Sequence, residues 1–280
     1  MKKTFLYLTI LSLFAIAATG CSDSDNEYNA DAALSYYKPL EYERLVSSIA
    51  ITSTVNKKNY SWNYNFVYDI HNRIKEIKGN TKFYESELKQ DCEGTILTKY
   101  FYDNETLKIE YLYEIYAPKL NKSATKSERF HGCFDKEDGK LISFDSFDCE
   151  YEGLMLSKAY TDYGTAFALE YDRNNNIIKT YQLDSLEANP VDKTIKEYKY
   201  SNQINKTNID FASFLGYNIV ERNIPCNMYH PYELFHLGAF GMLGGRGTNL
   251  PKGEWTFDEA GFPIKYISPE NRTYIITYKE

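Results

Sequence analysis

Apolar and polar residues alternate along most of this chain. Trp62, Tyr64, Phe66 and Tyr68 fall on one side of an extended segment, with Asn63 and Asn65 between them. Leu107, Ile109, Tyr111, Tyr113 and Ile115 repeat the pattern, with Lys108, Glu110 and Glu114 between. A period of two predicts β-strands with one covered face. Several strands end in an aromatic residue and an acid: Tyr68-Asp69, Tyr102-Asp103, Phe134-Asp135, Tyr151-Glu152, Tyr171-Asp172 and Phe257-Asp258. A few polar residues follow, often with Asn72, Gly139, Asn175 or Gly261 among them, and an apolar run restarts at Ile74, Leu141, Ile177 or Ile264.

That order predicts hairpins. The carboxylates of Asp69, Asp103, Asp135, Asp172 and Asp258 accept local backbone N–H groups and begin each turn. Asn, or a glycine such as Gly261, takes the position that needs positive φ. Pro263 then stands at a strand's first residue, where a missing N–H is tolerated. The acids are irregularly spaced, which excludes a strict solenoid. No helical crossover is visible before residue 205, so neighbouring strands should run antiparallel. The expected fold is all-β: an antiparallel meander of β-hairpins forming a curled sheet or barrel, in one domain over residues 41–280.

Residues 209–247 break the alternation. Asp210 precedes Phe211, Phe214 and Leu215 at helical spacing, and Pro231 leads into Leu234, Phe235, Leu237, Phe240, Met242 and Leu243, closed by Gly244-Gly245. These are helix start and stop signals. They predict a short helical or loop plug that covers one end of the sheet or fills its interior.

Composition supports the strand reading. The chain holds 27 tyrosines and 16 phenylalanines, residues suited to a pleated, half-buried surface. Most must fill the interior; any left outside could stack on a sugar ring or anchor a partner.

The N-terminus predicts a separate fate. Lys2 and Lys3 precede an apolar run from Phe5 to Ala18, a signal peptide over residues 1–20. Ala18-Thr19-Gly20-Cys21 resembles a bacterial lipobox, with Ala18 where Leu is commoner; by that resemblance Cys21 is lipidated. The alternative is an ordinary secretory peptide. Residues 21–40 then form a flexible tether, opening with Ser22-Asp23-Ser24-Asp25-Asn26-Glu27, similar to the export signal of surface-exposed Bacteroidetes lipoproteins. With Lys2 and Lys3 removed, 30 basic face 39 acidic side chains, a net charge of −9. No basic stripe invites nucleic acid. Cys92, Cys133, Cys149 and Cys226 remain in an oxidising compartment, and two bridges among them have three connectivities.

The candidate chemistry is thin. Asp172, Asn174 and Asn176 begin like an EF-hand loop, but Ile177 and Leu183 stand where Gly and a bidentate Glu are needed. Cys226, His230 and His236 lack a fourth zinc ligand and are interrupted by Pro231. "GMLGGRGT" from Gly241 lacks the lysine of a phosphate loop, and no GxSxG occurs. No cofactor, metal or catalytic residue is expected. Tyr229, His230, Tyr232, His236 and Arg246 are the candidate binding surface.

The aromatic-acid turns resemble YD-type repeats of bacterial surface proteins. Asn208-Ile209-Asp210, then Leu237-Gly238 to Gly247 with Asn249-Leu250-Pro251, then Phe257-Asp258-Glu259-Ala260-Gly261-Phe262-Pro263, follow in an order similar to an uncharacterised family of Bacteroidetes lipoproteins with a porin-like β fold. The resemblance spans about residues 45–280 and implies a β-barrel or curled sheet without an established activity. The expectation is therefore an outer-membrane-anchored, surface-exposed lipoprotein. Its leading role would be a non-catalytic binding or adhesion module for glycan or an envelope protein. The alternatives are a structural accessory subunit of an envelope assembly, or an unrecognised hydrolase.

Overall fold

A computed structural model describes residues 44–55, 58–85, 89–103, 105–135, 139–145, 147–153, 155–160, 166–183, 196–211, 248–269 and 271–279. The first strands are β1 (Val46–Val55), β2 (Lys58–Tyr68), β3 (Ile74–Glu85), β4 (Gln90–Tyr102), β5 (Thr106–Ala117) and β6 (Lys122–Phe134). Shorter ones follow: β7 (Leu141–Phe144), β8 (Phe147–Glu152), β9 (Met155–Tyr160), β10 (Ala166–Tyr171), β11 (Ile177–Leu183) and β12 (Lys196–Glu197). The last are β13 (Tyr200–Ile204), β14 (Asn249–Pro251), β15 (Glu254–Phe257), β16 (Pro263–Ile267) and β17 (Thr273–Tyr278).

Fifteen strands form one antiparallel ladder from β12 in descending order to β1, then β17, β16 and β15. Among the described residues the ladder departs from a meander at the pairing of β1 with β17, which brings Ile49 opposite Ile276. Among them it does not close into a barrel. Its outer strands, β12 and β15, are not hydrogen-bonded to each other, and β13 with β14 forms a separate two-stranded sheet. The ladder is nevertheless curled. Ile177 of β11 and Tyr266 of β16, near opposite ends of the strand order, belong to one continuous core with Trp62, Tyr64, Phe66 and Ile109.

The two-stranded sheet spans the open side. The Tyr200 hydroxyl donates to the Ile177 carbonyl at 2.7 Å, and Trp255 Nε1 donates to the Pro251 carbonyl at 2.8 Å. Ile209, Phe211 and Leu250 sink into the core. Asn208 Oδ1 accepts the Val46 N–H at 2.9 Å. Thus the start of the expected plug is buried, while residues 212–247 lie outside the described residues.

Close packing at this seam leaves no room for a side chain at Gly253. Tyr266 stacks on Trp255 with ring centroids 4.3 Å apart, and its hydroxyl donates to the Lys252 carbonyl at 3.0 Å. A Cβ on Gly253 would collide with that ring and stand 2.8 Å from the Ile267 carbonyl oxygen. Gly253→Ala should therefore cost about 3 kcal/mol, the upper part of the overpacking range. Urea unfolding measures it, and a loss below about 0.5 kcal/mol would show that the seam yields.

The hairpin turns share one construction. Asp172 Oδ1 accepts the N–H groups of Asn174 at 2.8 Å and Asn176 at 3.0 Å. Asp258 Oδ1 accepts those of Ala260 at 3.0 Å and Phe262 at 2.8 Å. Asp69 Oδ1 accepts those of His71 and Arg73. The turns after Asp103 and Asp135 are closed by main-chain bonds, from Asp103 N to the Thr106 carbonyl and from Asp135 N to the Lys140 carbonyl. Asn72, Asn175, Gly139 and Gly261 have φ of 60°, 60°, 72° and 81°, in the region that favours Gly and Asn. Ser268 builds a similar turn without a carboxylate, its Oγ accepting the Arg272 N–H at 3.3 Å with Asn271 at φ 59°.

The tyrosine at or near a strand's end has its own task. Tyr68 donates its hydroxyl proton to the carbonyl of Val46, Tyr102 to that of Ile74 and Tyr278 to that of Pro263, each at 2.7 Å. Tyr151 reaches Leu141 at 2.9 Å, and Tyr171 reaches Leu156 at 2.7 Å. Each acceptor is the first or second residue of the preceding strand. A tyrosine at a strand's end thus fastens the start of its neighbour, where ladder bonds would otherwise fray.

The Asp172 turn makes stability depend on acid. Burial pushes its carboxyl pKa up, but the side-chain and backbone N–H groups of Asn176, the Asn174 N–H and the Arg173 charge together hold it below its usual value. A depressed folded-state pKa contributes stability above the unfolded value, near 3.9, which is lost as pH falls through the folded one. Asp172→Asn should therefore flatten the acid limb of a thermal-midpoint profile below about pH 4 and leave its slope near pH 7 unchanged. An unchanged acid limb would assign that dependence to other carboxylates.

Candidate functional site

Strand length divides the sheet into a tall wall and a low one. β3 to β6 have 12, 13, 12 and 13 residues, whereas β7 to β10 have 4 or 6. At about 3.3 Å per residue the tall strands reach roughly twice as far. β6 pairs with β5 along its whole length, but meets β7 only at Gly132, Cys133 and Phe134. The far halves of β3–β6 therefore form a blade that outruns the main core. Phe83, Cys92 and Ala117 make a small second core at its tip. Gln90, buried there, accepts the Lys119 N–H at 2.9 Å and steadies the turn over Pro118–Leu120.

The blade's faces follow the pleat. Tyr100, Leu107 and Ile109 point inward and are buried. Tyr111, Tyr113 and Ile115 share that face but are half-buried, because they stand above the core. Outward, the register aligns rows across three strands: Lys99–Glu110–Arg129, Leu97–Leu112–Ser127, Thr95–Glu114–Thr125 and Glu93–Tyr116–Ser123. β3 adds Lys82 opposite Glu93 and Asn80 opposite Thr95.

Two adjoining hollows lie along these rows. One, of about 550 Å³, is lined by Leu97, Lys99, Glu110, Leu112, Ser127 and Arg129 together with Tyr111 and Glu128. The other, of about 490 Å³, has Asn80, Thr95, Glu114, Tyr116, Ser123 and Thr125 in its lining. Glu110 receives Lys108 Nζ at 2.8 Å and Arg129 Nε at 3.4 Å; Lys82 meets Glu93 at 2.9 Å. Thr95 Oγ1 donates to Glu114 Oε2 at 3.3 Å. The Tyr116 hydroxyl donates to Asn121 Oδ1 at 3.1 Å, leaving its ring 40% exposed.

The charged groups of this face are paired with one another. The hydrogen bond from Lys108, outweighing burial, and the charges of Lys108, Arg129 and Lys99 hold the Glu110 carboxyl below its usual pKa. A general acid at neutral pH needs the opposite shift. Burial, with the Asp148 charge, pushes the Cys149 thiol up to about 12, the environment of an inert structural cysteine. Among the described residues no three His, Cys, Asp or Glu side chains gather as metal ligands. The Asp172 carboxylate, which opens the EF-hand-like stretch, is occupied by N–H donors of Asn174 and Asn176.

The residues singled out from sequence are placed as follows. Asp69, Asp103, Asp135, Asp172, Asp258 and Gly261 sit in turns at the end of the sheet away from the blade tip. Tyr229, His230, Tyr232, His236, Arg246, Cys226 and Cys21 lie outside the described residues. Cys92 is buried, Cys133 exposed and Cys149 half-buried, and no two of them are bridged. The pleat sets two of them apart: Cys133 shares its outward face with Ser143 and Asp148, and Cys149 is on the other face. Sequence reasoning passed over Leu97 and Leu112. Leu112 left a trace, since it falls between Glu110 and Glu114 on the polar side of its strand.

No family profile and no curated protein matches the chain. Among solved structures it is similar to a porin-like protein from Bacteroides uniformis, with 15% identity and a TM-score of 0.44 over 86% of this chain and 100% of that one.

Proposed function

We propose that the chain is a non-catalytic binding or adhesion module of the bacterial outer envelope, anchored through a lipid on Cys21 and displayed on the tether of residues 21–40. Its ligand is a glycan or an envelope protein. The observation that carries the reading is the outer face of the blade: two adjoining hollows with an apolar floor and a paired-charge rim, on strands that outrun the core. Rigid strands are a better platform for a preorganised site than loops. The same face argues against a lipid-facing wall, because Lys78, Lys99, Glu110 and Arg129 on it would each be costly beside hydrocarbon.

Three measurements test this. Cys21→Ser should move the protein from the membrane to the soluble fraction, and continued membrane retention would remove the lipid anchor from the proposal. The unlipidated mature chain should purify without detergent; a detergent requirement would favour a membrane-embedded sheet. Saccharide arrays and pull-downs from envelope extracts should give a binder sensitive to Leu112→Glu, and clean negatives in both would end the binding reading.

A further inference from the structure

We infer that the outer groove of the blade takes a neutral saccharide chain laid across β4, β5 and β6. This rests on the reading of that face as a binding surface and adds the ligand's chemistry.

The groove is longer than one hollow. The Leu97–Leu112–Ser127 and Thr95–Glu114–Thr125 rows stand two residues apart along each strand, about 7 Å. The hollows therefore adjoin without an intervening wall. Leu97 and Leu112, directly opposite each other and half-buried, form an apolar floor between polar rows. The Tyr116 ring, held by its hydroxyl bond to Asn121, gives an aromatic face at one end. A floor of two leucines and one ring is small for a hydrophobic helix, which needs anchors over two or three turns. It suits the C–H face of a pyranose.

The rim supplies what hydroxyls require. Asn80, Thr95, Ser123, Thr125 and Ser127 both donate and accept hydrogen bonds. Arg129 beside Glu110, and Lys82 beside Glu93, place a donor next to an acceptor, as vicinal hydroxyls demand. The charges also select against ions. Lys82, Lys99 and Arg129 are balanced on the outward face by Glu93, Glu110 and Glu114, while the fourth carboxylate of the lining, Glu128, turns to the inward face and pairs with Lys126. An anionic ligand gains no net field there, and a cationic one gains none either.

The mature chain should be applied to an array of neutral, uronate-containing and sulfated hexasaccharides. Neutral chains should bind, with affinity changing less than about threefold between about 50 and 500 mM salt, because no net charge is screened. Leu112→Glu and Tyr116→Ala should each weaken binding at least about tenfold while circular dichroism and the unfolding midpoint stay unchanged. Neutral chains that bind both variants as well as the parent would place the site elsewhere and overturn the inference. Binding confined to charged saccharides and lost with salt would overturn neutrality. A protein ligand sensitive to Leu112→Glu, with no saccharide bound, would overturn the ligand class yet keep the binding module. Silence from saccharides and envelope proteins alike would remove both.

Discussion

Asp69→Ala will destabilise the protein by about 3–5 kcal/mol, the range for stripping one partner from a buried ion pair. Asp69 lies in the turn between β2 and β3. Its Oδ1 accepts the N–H groups of His71 at 2.8 Å and Arg73 at 3.0 Å, and its Oδ2 accepts Arg73 Nε at 2.6 Å. The Arg73 side chain is only 1% exposed, and its guanidinium lies 4.4 Å from the centre of the Tyr102 ring. Its Nη1 and Nη2 atoms are buried without hydrogen-bond partners, so the Asp69 carboxylate carries much of the compensation for burying this cation. The turn bonds alone would account for about 1–2 kcal/mol. The remainder comes from leaving Arg73 charged and unpaired. Asp69→Ala/Arg73→Met should therefore recover most of the loss, since methionine fills the space without a charge. Urea unfolding of both variants decides the matter. A single-variant loss near 0.5 kcal/mol, typical of surface pairs, would show that the guanidinium finds water.

Lys126→Val/Glu128→Val will make the blade associate edge to edge. From Lys122 to Phe130, β6 has no paired neighbour on its outer side among the described residues, and the first main-chain bond there is donated by Asp145 to the His131 carbonyl. Such an edge offers a row of N–H and C=O groups to another strand. Lys126 and Glu128 point to the inward face and pair with each other at 2.7 Å. Paired with a second copy's strand, they would be trapped against Tyr111 and Tyr113, which flank them on β5. Inward charges on an edge are a known guard against such pairing. With valines the inward positions of the edge from Ala124 to Phe130 become wholly apolar and carry no charge. Light scattering after size exclusion should then show mass rising with concentration, while the unfolding midpoint of the dilute protein moves little. A variant that stays monomeric at high concentration would mean that something besides these charges shields the edge.

Much of the fold was legible because its punctuation is local. Asp69, Asp172 and Asp258 close their turns within four residues, and Asn72, Gly139, Asn175 and Gly261 all carry the positive φ expected of them. Period-two alternation located the inward face of β2 and β5. The Ser268 turn escaped notice because a hydroxyl does there what a carboxylate does elsewhere. The tyrosine hydroxyl bonds left no sequence trace, since their acceptors lie 10 to 28 residues away. The blade was equally hidden. Its existence depends on which strands are long beside which are short, a property of register and not of any single strand. The chosen binding residues between Tyr229 and Arg246 followed a break in composition, whereas the hollows of the blade come from cross-strand neighbours brought together by pairing.

The pairing of β1 with β17 bears on how the chain matures. A polypeptide synthesised from its N-terminus delivers β1 first and β17 last. The hairpins from β2 to β6 can zip as they emerge, each closing a short loop, but half of β1's ladder must wait for the final segment. During that interval Ile49 and Ile51, buried in the finished protein, flank an open edge. Completion of the sheet is thus timed by the arrival of Thr273–Tyr278, so a chain stalled or clipped before that point would be the aggregation-prone species that chaperones and proteases meet.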